Sequence, residues 1–332
     1  LVNNTIGGEN NTGQVYAGTA NSTVDAEGVI DIKATANQVI AGSVIASSSA
    51  IAKGLLAGSA ALSGVTVTNN VAADVKAYAN GAQEPPATID DQLAAQSITV
   101  AASDESIIST RAGASSLAAS YGVIGASVAV GSAFATNRIE TEVLAEANGA
   151  ELVSESGNIL ISATEATTID AKASAASIAK AGGLVGLASS GAGASALNVI
   201  LSSVQSLVAD ASLDSAADAR VLATNTATLN ALITSTSKAK AGGLVADGAS
   251  IGKALARNFI GFDPVGFDAS GKPSVFTAGF SSPSQINKGD VVFLAKGGGI
   301  RSGEYYEYIG EDPIEKSDIN GDGTLDNLIF NQ

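Results

Sequence analysis

Oxygen-bearing side chains recur at alternate positions in one short segment near the C-terminus, and their spacing suits a metal site. They are Asp318, Asn320, Asp322, Thr324 and Asp326, with Gly323 where the loop must turn sharply. Carboxylate and amide oxygens at this spacing are ligands for a hard cation, and Thr324 would add its backbone carbonyl. The sequence therefore predicts a Ca²⁺ site, with a polar turn capped by its own side chains as the structural alternative.

The predicted loop differs from an EF-hand at its end. Ile329 stands where an EF-hand carries its bidentate glutamate. The segment resembles instead the D-x-N-x-D-G-x-x-D calcium loops of extracellular β-proteins, in which a strand follows the loop. Residues 328–330 would form that strand.

Other chemistry is limited by residue types that the chain lacks. There is no Cys, His, Met or Trp, so the sequence offers no imidazole base, thiolate nucleophile or zinc-thiolate site. The acidic pairs Asp90-Asp91 and Glu311-Asp312 are poor catalytic pairs, because adjacent residues of a strand point to opposite faces. We therefore predict that the chain is not an enzyme.

A carbohydrate-cleaving β-helix enzyme is the catalytic alternative. Such an enzyme needs a cleft lined by aromatic, basic and acidic side chains. The aromatic residues of the first 258 positions, namely Tyr16, Tyr78, Tyr121 and Phe134, are widely scattered along the sequence.

Charge restricts the partners. The net charge is -15 and the sequence pI is near 4.3, so repulsion argues against nucleic acids and anionic membrane surfaces. The uncharged runs 112–137 and 181–208 are long enough to span a bilayer but are crowded with Ser, Gly and Asn. We expect no membrane span, with a membrane-inserting segment as the alternative.

An internal repeat is the most informative feature. Asparagines at 4, 69, 137, 198 and 258 each precede a similar apolar segment, and AKAGGLV occurs at 179–185 and again at 239–245. Residues 1–258 thus contain four repeats of about 60–68 residues, approximately 4–68, 69–136, 137–197 and 198–258. The first repeat departs from the others by an insertion near residues 8–14.

Apolar residues alternate with polar ones within each repeat, as in 30–34 and 159–163. This period of two predicts strands with one buried face, including 197–208, where a helix is the alternative. A repeat made of several short strands with small side chains cannot bury its apolar face alone. We predict an all-β fold, an elongated array of stacked strands like a β-solenoid, with a string of small β-sandwiches as the alternative.

Composition changes after Asn258. Ten of the 14 aromatic residues lie beyond it. Residues 259–332 are therefore predicted to form a separate, aromatic-richer β module that carries the calcium loop, with strands at 291–294 and 306–309.

The repeats resemble those of giant bacterial cell-surface and adhesin-like proteins. The resemblance lies in the runs at 159–173 and 182–198, and in 289–310, which is similar to a module that interrupts such arrays. It implies an extracellular or cell-surface location and a structural or adhesive role as a spacer or filament-forming element. Candidate partners are other copies, adjacent repeats and cell-surface glycans. The first residue, Leu1, is consistent with a fragment or a processed product.

Overall fold

The computed structural model describes residues 1–8, 12–81 and 91–261, together with the backbone of five short strands beyond them. Contacts divide the chain into two units, Leu1–Gly261 and Phe262–Gln332. The described residues form strands and turns without a helix, which confirms the all-β prediction and the strand over 197–208.

The first unit contains fourteen strands within its described residues. They are β1 (Val2–Ile6), β2 (Gly13–Ala20), β3 (Thr23–Asp25), β4 (Val29–Lys53), β5 (Leu56–Asn80), β6 (Asp91–Ala95), β7 (Ser97–Tyr121), β8 (Ile124–Asn148), β9 (Ala150–Ser154), β10 (Ile159–Gly182), β11 (Val185–Ala209), β12 (Ser212–Ser215), β13 (Ala219–Gly242) and β14 (Val245–Ile260). A long strand, a tight turn, a second long strand and a short strand make one coil. The coil then starts again one level along the stack.

The coils stack through parallel pairing, which confirms the solenoid-like prediction. One sheet has the order β13-β10-β7-β4, and the facing sheet has the order β1-β5-β8-β11-β14, with β2 also paired to β5. The short strands form a narrow third sheet in the order β12-β9-β6-β3. Parallel neighbours that are far apart in sequence are the arrangement expected when each repeat is one coil.

The strands are longer than the expected several short strands per repeat. β4, β5, β7, β8 and β11 each have 25 residues, so the predicted second and third segments of a repeat are one continuous strand. No proline interrupts these strands, and β7 and β10 are paired along nearly their whole length on both sides. Pairing on two sides keeps such a strand extended.

The pairing register follows the repeats. Asn4, Asn69, Asn137, Asn198 and Asn258 are successive partners along one sheet. The predicted insertion in the first repeat is confirmed: Val2 pairs with Val67, an offset of 67 − 2 = 65, but Gly13 pairs with Ala73, an offset of 73 − 13 = 60. The segment between β1 and β2 therefore contains five additional residues.

The core changes in character along the strands. At the end near the short strands, large aliphatic residues such as Leu93, Ile98 and Leu152 are buried together with alanines. Towards the tight turn, the buried cluster contains only alanines: Ala61, Ala118, Ala129, Ala179, Ala181 and Ala188. Small side chains let the two sheets approach, so the layer between them is thinnest beside the turn.

Glycine is required in the tight turns because the coils touch there. A Cβ atom on Gly122 would lie 2.0 Å from the carbonyl oxygen of Gly54, and one on Gly183 would lie 2.0 Å from that of Gly122. Each turn therefore rests directly on the turn before it.

The second unit is described only through the backbone of its strands. These are β15 (Val275–Ala278), β16 (Gln285–Ile286), β17 (Val291–Leu294), β18 (Tyr305–Glu307) and β19 (Ile314–Glu315). The predicted strand at 291–294 is present, and the one at 306–309 overlaps β18. β17 pairs with β15 in parallel and with β18 in antiparallel orientation. In the described part of the chain, no helix is long and apolar enough to cross a membrane.

Candidate functional site

The predicted calcium ligands Asp318, Asn320, Asp322, Thr324 and Asp326 lie outside the described residues. The same holds for Asp90 and the pair at 311–312, whereas Asp91 is described only as the first backbone position of β6. Their prediction remains one from sequence.

An aromatic and acidic patch lies on the outer face of β2, β5 and β8. It is called here the Tyr16 patch and consists of Tyr16, Asp74, Lys76, Tyr78, Glu142 and Glu146. Pairing places Tyr16 opposite Lys76, and Asp74 opposite Glu142. Tyr16 and Tyr78 are far apart in the sequence, but β2 and β5 are neighbouring strands, so both tyrosines belong to this patch.

Charge and hydrogen bonds hold this patch together. The Tyr16 hydroxyl donates to Asp74 Oδ2. That bond is the main reason why the pKa of Tyr16 is raised to about 12, with burial and the negative charges of Asp74 and Glu142 adding to the effect. Lys76 Nζ lies 2.9 Å from Glu146 Oε1 and 5.5 Å from the centre of the Tyr78 ring.

A glycine makes room for the second tyrosine of the Tyr16 patch. A Cβ atom on Gly18 would lie 2.5 Å from the Tyr78 ring, so the ring lies flat over the β2 backbone. Tyr78 is thereby fixed, whereas Tyr16 leaves 48% of its surface exposed.

A shallow depression of about 380 Å³ adjoins the patch. Asp74, Glu140 and Glu142 contribute carboxylates to its lining, and Ser202 and Ser203 contribute hydroxyl groups. These groups are hydrogen-bond acceptors and donors of the kind that sugars or hydrated cations use. The depression itself is lined by acidic and hydroxyl groups, and the adjoining Tyr16 patch adds aromatic and basic side chains.

The repeat-opening asparagines form a ladder inside the solenoid. Asn4 Nδ2 donates to Asn69 Oδ1 at 2.8 Å, Asn69 to Asn137 at 2.7 Å, and Asn137 to Asn198 at 2.7 Å. Asn198 continues the ladder by donating to Asn258 at 2.8 Å. Every level thus repeats the same bond in the same direction, which the sequence reasoning identified only as a spacing.

Two buried carboxyl groups were missed by the sequence reasoning. Asp104 on β7 pairs in register with Glu165 on β10, and their side chains are 2% and 0% exposed. A signal was available: Asp104 keeps the phase of Val100 and Ala102, and is separated from Glu165 by the same 61 residues that separate Asn137 from Asn198. An acidic residue at a position where the alternation places apolar residues is therefore predicted to face the interior.

Burial raises the pKa of both groups, that of Asp104 to about 6, with the negative charge of Glu165 acting in the same direction. Ser106 lies close to Asp104, and a hydrogen bond from its hydroxyl would lower the pKa of Asp104. Its single hydroxyl proton, however, is donated to Gln38 Oε1 at 2.6 Å. Glu165 is better satisfied, because Thr141 and Ser202 donate to its Oε1 atom and Asn225 to its Oε2 atom.

Comparison of the chain with protein-family models, with curated proteins and with solved structures found no match.

Proposed function

We propose that this chain is a structural or adhesive segment of a large secreted or cell-surface bacterial protein, in which stacked coils act as a spacer or as a filament-forming element. The observation that carries the proposal is the unbroken register of the coils. Ladder hydrogen bonds, the asparagine ladder and the tight turns all repeat from level to level in one direction. Further coils could be added to a stack of this kind by the same strand pairing, because each coil contacts only its neighbours.

The ends of the stack support this role. Within the described residues, β4 pairs only with β7, β13 only with β10, and β14 only with β11. Each therefore offers backbone donors and acceptors along one edge. The partners proposed for these edges are adjacent repeats or other copies of the chain.

A charge placed inside the last coil tests the proposed stacking. Ala254 on β14 pairs with the buried Ala194 and continues its inward phase, although it is exposed at the end of the stack, whereas Ala249 pairs with Ser189 on the outer face. We expect the full chain to associate with rising concentration in sedimentation experiments and to form filaments in electron micrographs. Ala254→Lys should abolish association because an inward charge blocks the next coil, and Ala249→Lys should not. A chain that stays monomeric at every concentration would contradict filament formation.

The proposed location needs its own experiment. An antibody raised against the chain should label intact cells of the source bacterium by immunogold microscopy. Labelling that appears only after the cells are opened would reject an extracellular or cell-surface site.

Calcium binding by the C-terminal loop is part of the proposal and rests on the ligand spacing at 318–326. We expect calcium to raise the melting temperature of the second unit and expect Asp318→Asn with Asp322→Asn to remove this effect. An unchanged calcium response in that double variant would favour the capped polar turn.

A second candidate function is contact with cell-surface glycans through the Tyr16 patch, favoured by the convergence of aromatic and charged groups there. A glycan array is the first measurement. Tyr16→Ala should weaken any binding, whereas Tyr121→Ala should not, because Tyr121 is similarly exposed but lies at the end of β7. Equal loss in both variants, or no binding at all, would count against this candidate.

A further inference from the structure

Among the described residues, the two buried carboxyl groups have no buried positive charge to compensate them. Asp104 and Glu165 occupy paired positions on adjacent strands, and both face the space between the two sheets. No lysine or arginine is buried anywhere in the described part of the chain. Two neighbouring carboxylates without a counter-charge are strongly disfavoured in a dry interior. They must hold either protons or a cation.

The hydrogen bonds leave a set of unused oxygen atoms at this place. Both carboxyl oxygens of Asp104 and the hydroxyl oxygen of Thr167 are buried without a hydrogen-bond partner. Thr167 is 0% exposed and follows Glu165 by two residues, so it faces the same side of β10. Buried polar atoms in native proteins are nearly always paired, so three unpaired oxygens on adjacent strands, all facing the interior, are a sign of a missing ligand.

The hydroxyl groups of Ser106, Thr141 and Ser202 cannot donate to these unpaired oxygens, because each already donates its proton elsewhere. Ser106 has already given its proton to Gln38. Thr141 and Ser202 have given theirs to Glu165 Oε1, which orients the Glu165 carboxylate. Its other oxygen, Oε2, accepts only one long bond of 3.3 Å from Asn225 and keeps lone pairs free.

We propose that Asp104, Glu165 and Thr167 bind a hard divalent cation of the Ca²⁺ type between the second and third coils. All the available donor atoms are oxygens, which is the ligand set that Ca²⁺ takes, and two carboxylates balance its charge. Asp104 contributes two oxygens, Glu165 contributes Oε2, and Thr167 contributes its hydroxyl oxygen. Because the two carboxylates come from adjacent coils, the ion joins one level of the stack to the next.

The test must load the ion during folding, because the site is closed in the folded chain. The full chain is unfolded in chelator, refolded with Ca²⁺ or with chelator, freed of loose ions by gel filtration and analysed for bound metal. The background is the variant Asp318→Asn with Asp322→Asn, which removes the predicted C-terminal loop. In this background we expect about one calcium ion per chain after refolding with Ca²⁺.

Two further changes identify the ligands. Asp104→Asn together with Glu165→Gln should remove the bound ion, whereas Glu105→Gln, next to Asp104 but on the exposed face, should leave it in place. Since the amide pair also removes two buried charges, this variant should fold without calcium, and its urea midpoint should not respond to Ca²⁺. The background chain's midpoint should rise with Ca²⁺.

The proposal is overturned if the background chain refolded with Ca²⁺ holds no metal, or if the amide pair leaves the calcium content unchanged. It is overturned equally if the urea midpoint of the background chain is the same with Ca²⁺ and with chelator. Protons alone would then satisfy the two carboxyl groups.

Discussion

At the scale of single residues, the asparagine ladder fixes the register of the coils. The asparagines at 69, 137 and 198 each accept from one neighbour and donate to the next, and all three are fully buried. A shift of one residue would turn a whole strand over and expose its apolar face while burying its polar one. The ladder therefore specifies the register at the point where the alternating Ala, Ser and Thr side chains differ little from one another.

The central asparagine is the most sensitive member of the ladder. Asn69 and Thr110 donate to Asn137 Oδ1, and Asn137 Nδ2 donates to Asn198. Asn137→Ala leaves the Thr110 hydroxyl proton and Asn198 Oδ1 buried without a partner, while Asn69 Nδ2 keeps its bond to Thr110, so we expect a loss of about 2–4 kcal/mol of unfolding free energy. Urea denaturation measures it. Thr136→Ala, on the opposite face of β8, should cost much less, and equal losses would show that the ladder is not specific.

Tyr16 has a pH response that its bond to Asp74 explains. Its pKa of about 12 lies above the ordinary value of about 10, so the unfolded chain loses this proton first. The contribution to stability is therefore complete below about pH 10 and is lost between about pH 10 and 12. At pH 11, roughly one tenth of Tyr16 should be ionised, against about nine tenths of an ordinary tyrosine.

The chain has no tryptophan, so tyrosinate absorbance near 295 nm can be followed directly. Subtracting the titration of Tyr16→Phe from that of the unmodified chain isolates Tyr16. Asp74→Asn should return its pKa towards 10, and a Tyr16 curve that is already ordinary in the unmodified chain would contradict the bond.

At the scale of strands, the decreasing size of the inward side chains gives the coil a thick end and a thin end. Large aliphatic residues separate the sheets near the short strands, and alanine and glycine let them approach near the tight turns. A Cβ atom on Gly131 would lie 2.6 Å from the carbonyl oxygen of Ala176 on the facing sheet. The spacing at the thin end is thus limited by backbone contact.

A methyl group at this contact should force the sheets apart. We expect Gly131→Ala to reduce the free energy of unfolding by about 1–3 kcal/mol, as overpacking does in other cores. Gly193→Ala is the matched control, because a Cβ atom there meets nothing within 4 Å and lies on the outer face of β11. It should be neutral or slightly stabilising, since alanine costs less conformational entropy than glycine. Similar losses in both variants would mean that the sheets are not in close contact.

Sequence alone predicted the strands, the stacking and the repeat spacing, because Asn and Gly recur at positions where a coil structure requires them. It did not predict that Tyr16 and Tyr78 share one surface patch, since their register depends on where the five additional residues of the first repeat are placed. Nor did it identify Asp104 and Glu165 as buried, because the alternation of inward and outward positions was traced only through apolar residues. The merging of two segments into one long strand depends on pairing from both sides, which a single repeat does not reveal.

At the scale of the unit Leu1–Gly261, the dimensions differ from those of a thin rod. A strand of 25 residues is about 80 Å long at roughly 3.3 Å per residue, whereas each coil adds only about 4.8 Å along the stack. Four coils therefore advance by about 20 Å, and the unit is a slab that is wider than it is tall. Length along the axis would come from many such coils, which agrees with a role as one segment of a larger array.

The central claim is that each repeat is one coil in register with the next, and spin labelling tests it most directly. The chain has no cysteine, so labels can be placed at will. Ser132→Cys and Gly193→Cys put labels on paired outer positions of β8 and β11, about 5 Å apart between backbones. Ser132→Cys with Ser203→Cys puts the second label ten residues further along β11, about 33 Å away.

Continuous-wave electron paramagnetic resonance reports dipolar broadening between labels that are close together. The in-register pair should give a strongly broadened spectrum, and the displaced pair should give the sum of its two single-label spectra. An in-register pair without broadening, or equal broadening in both, would show that the repeats do not stack as successive coils.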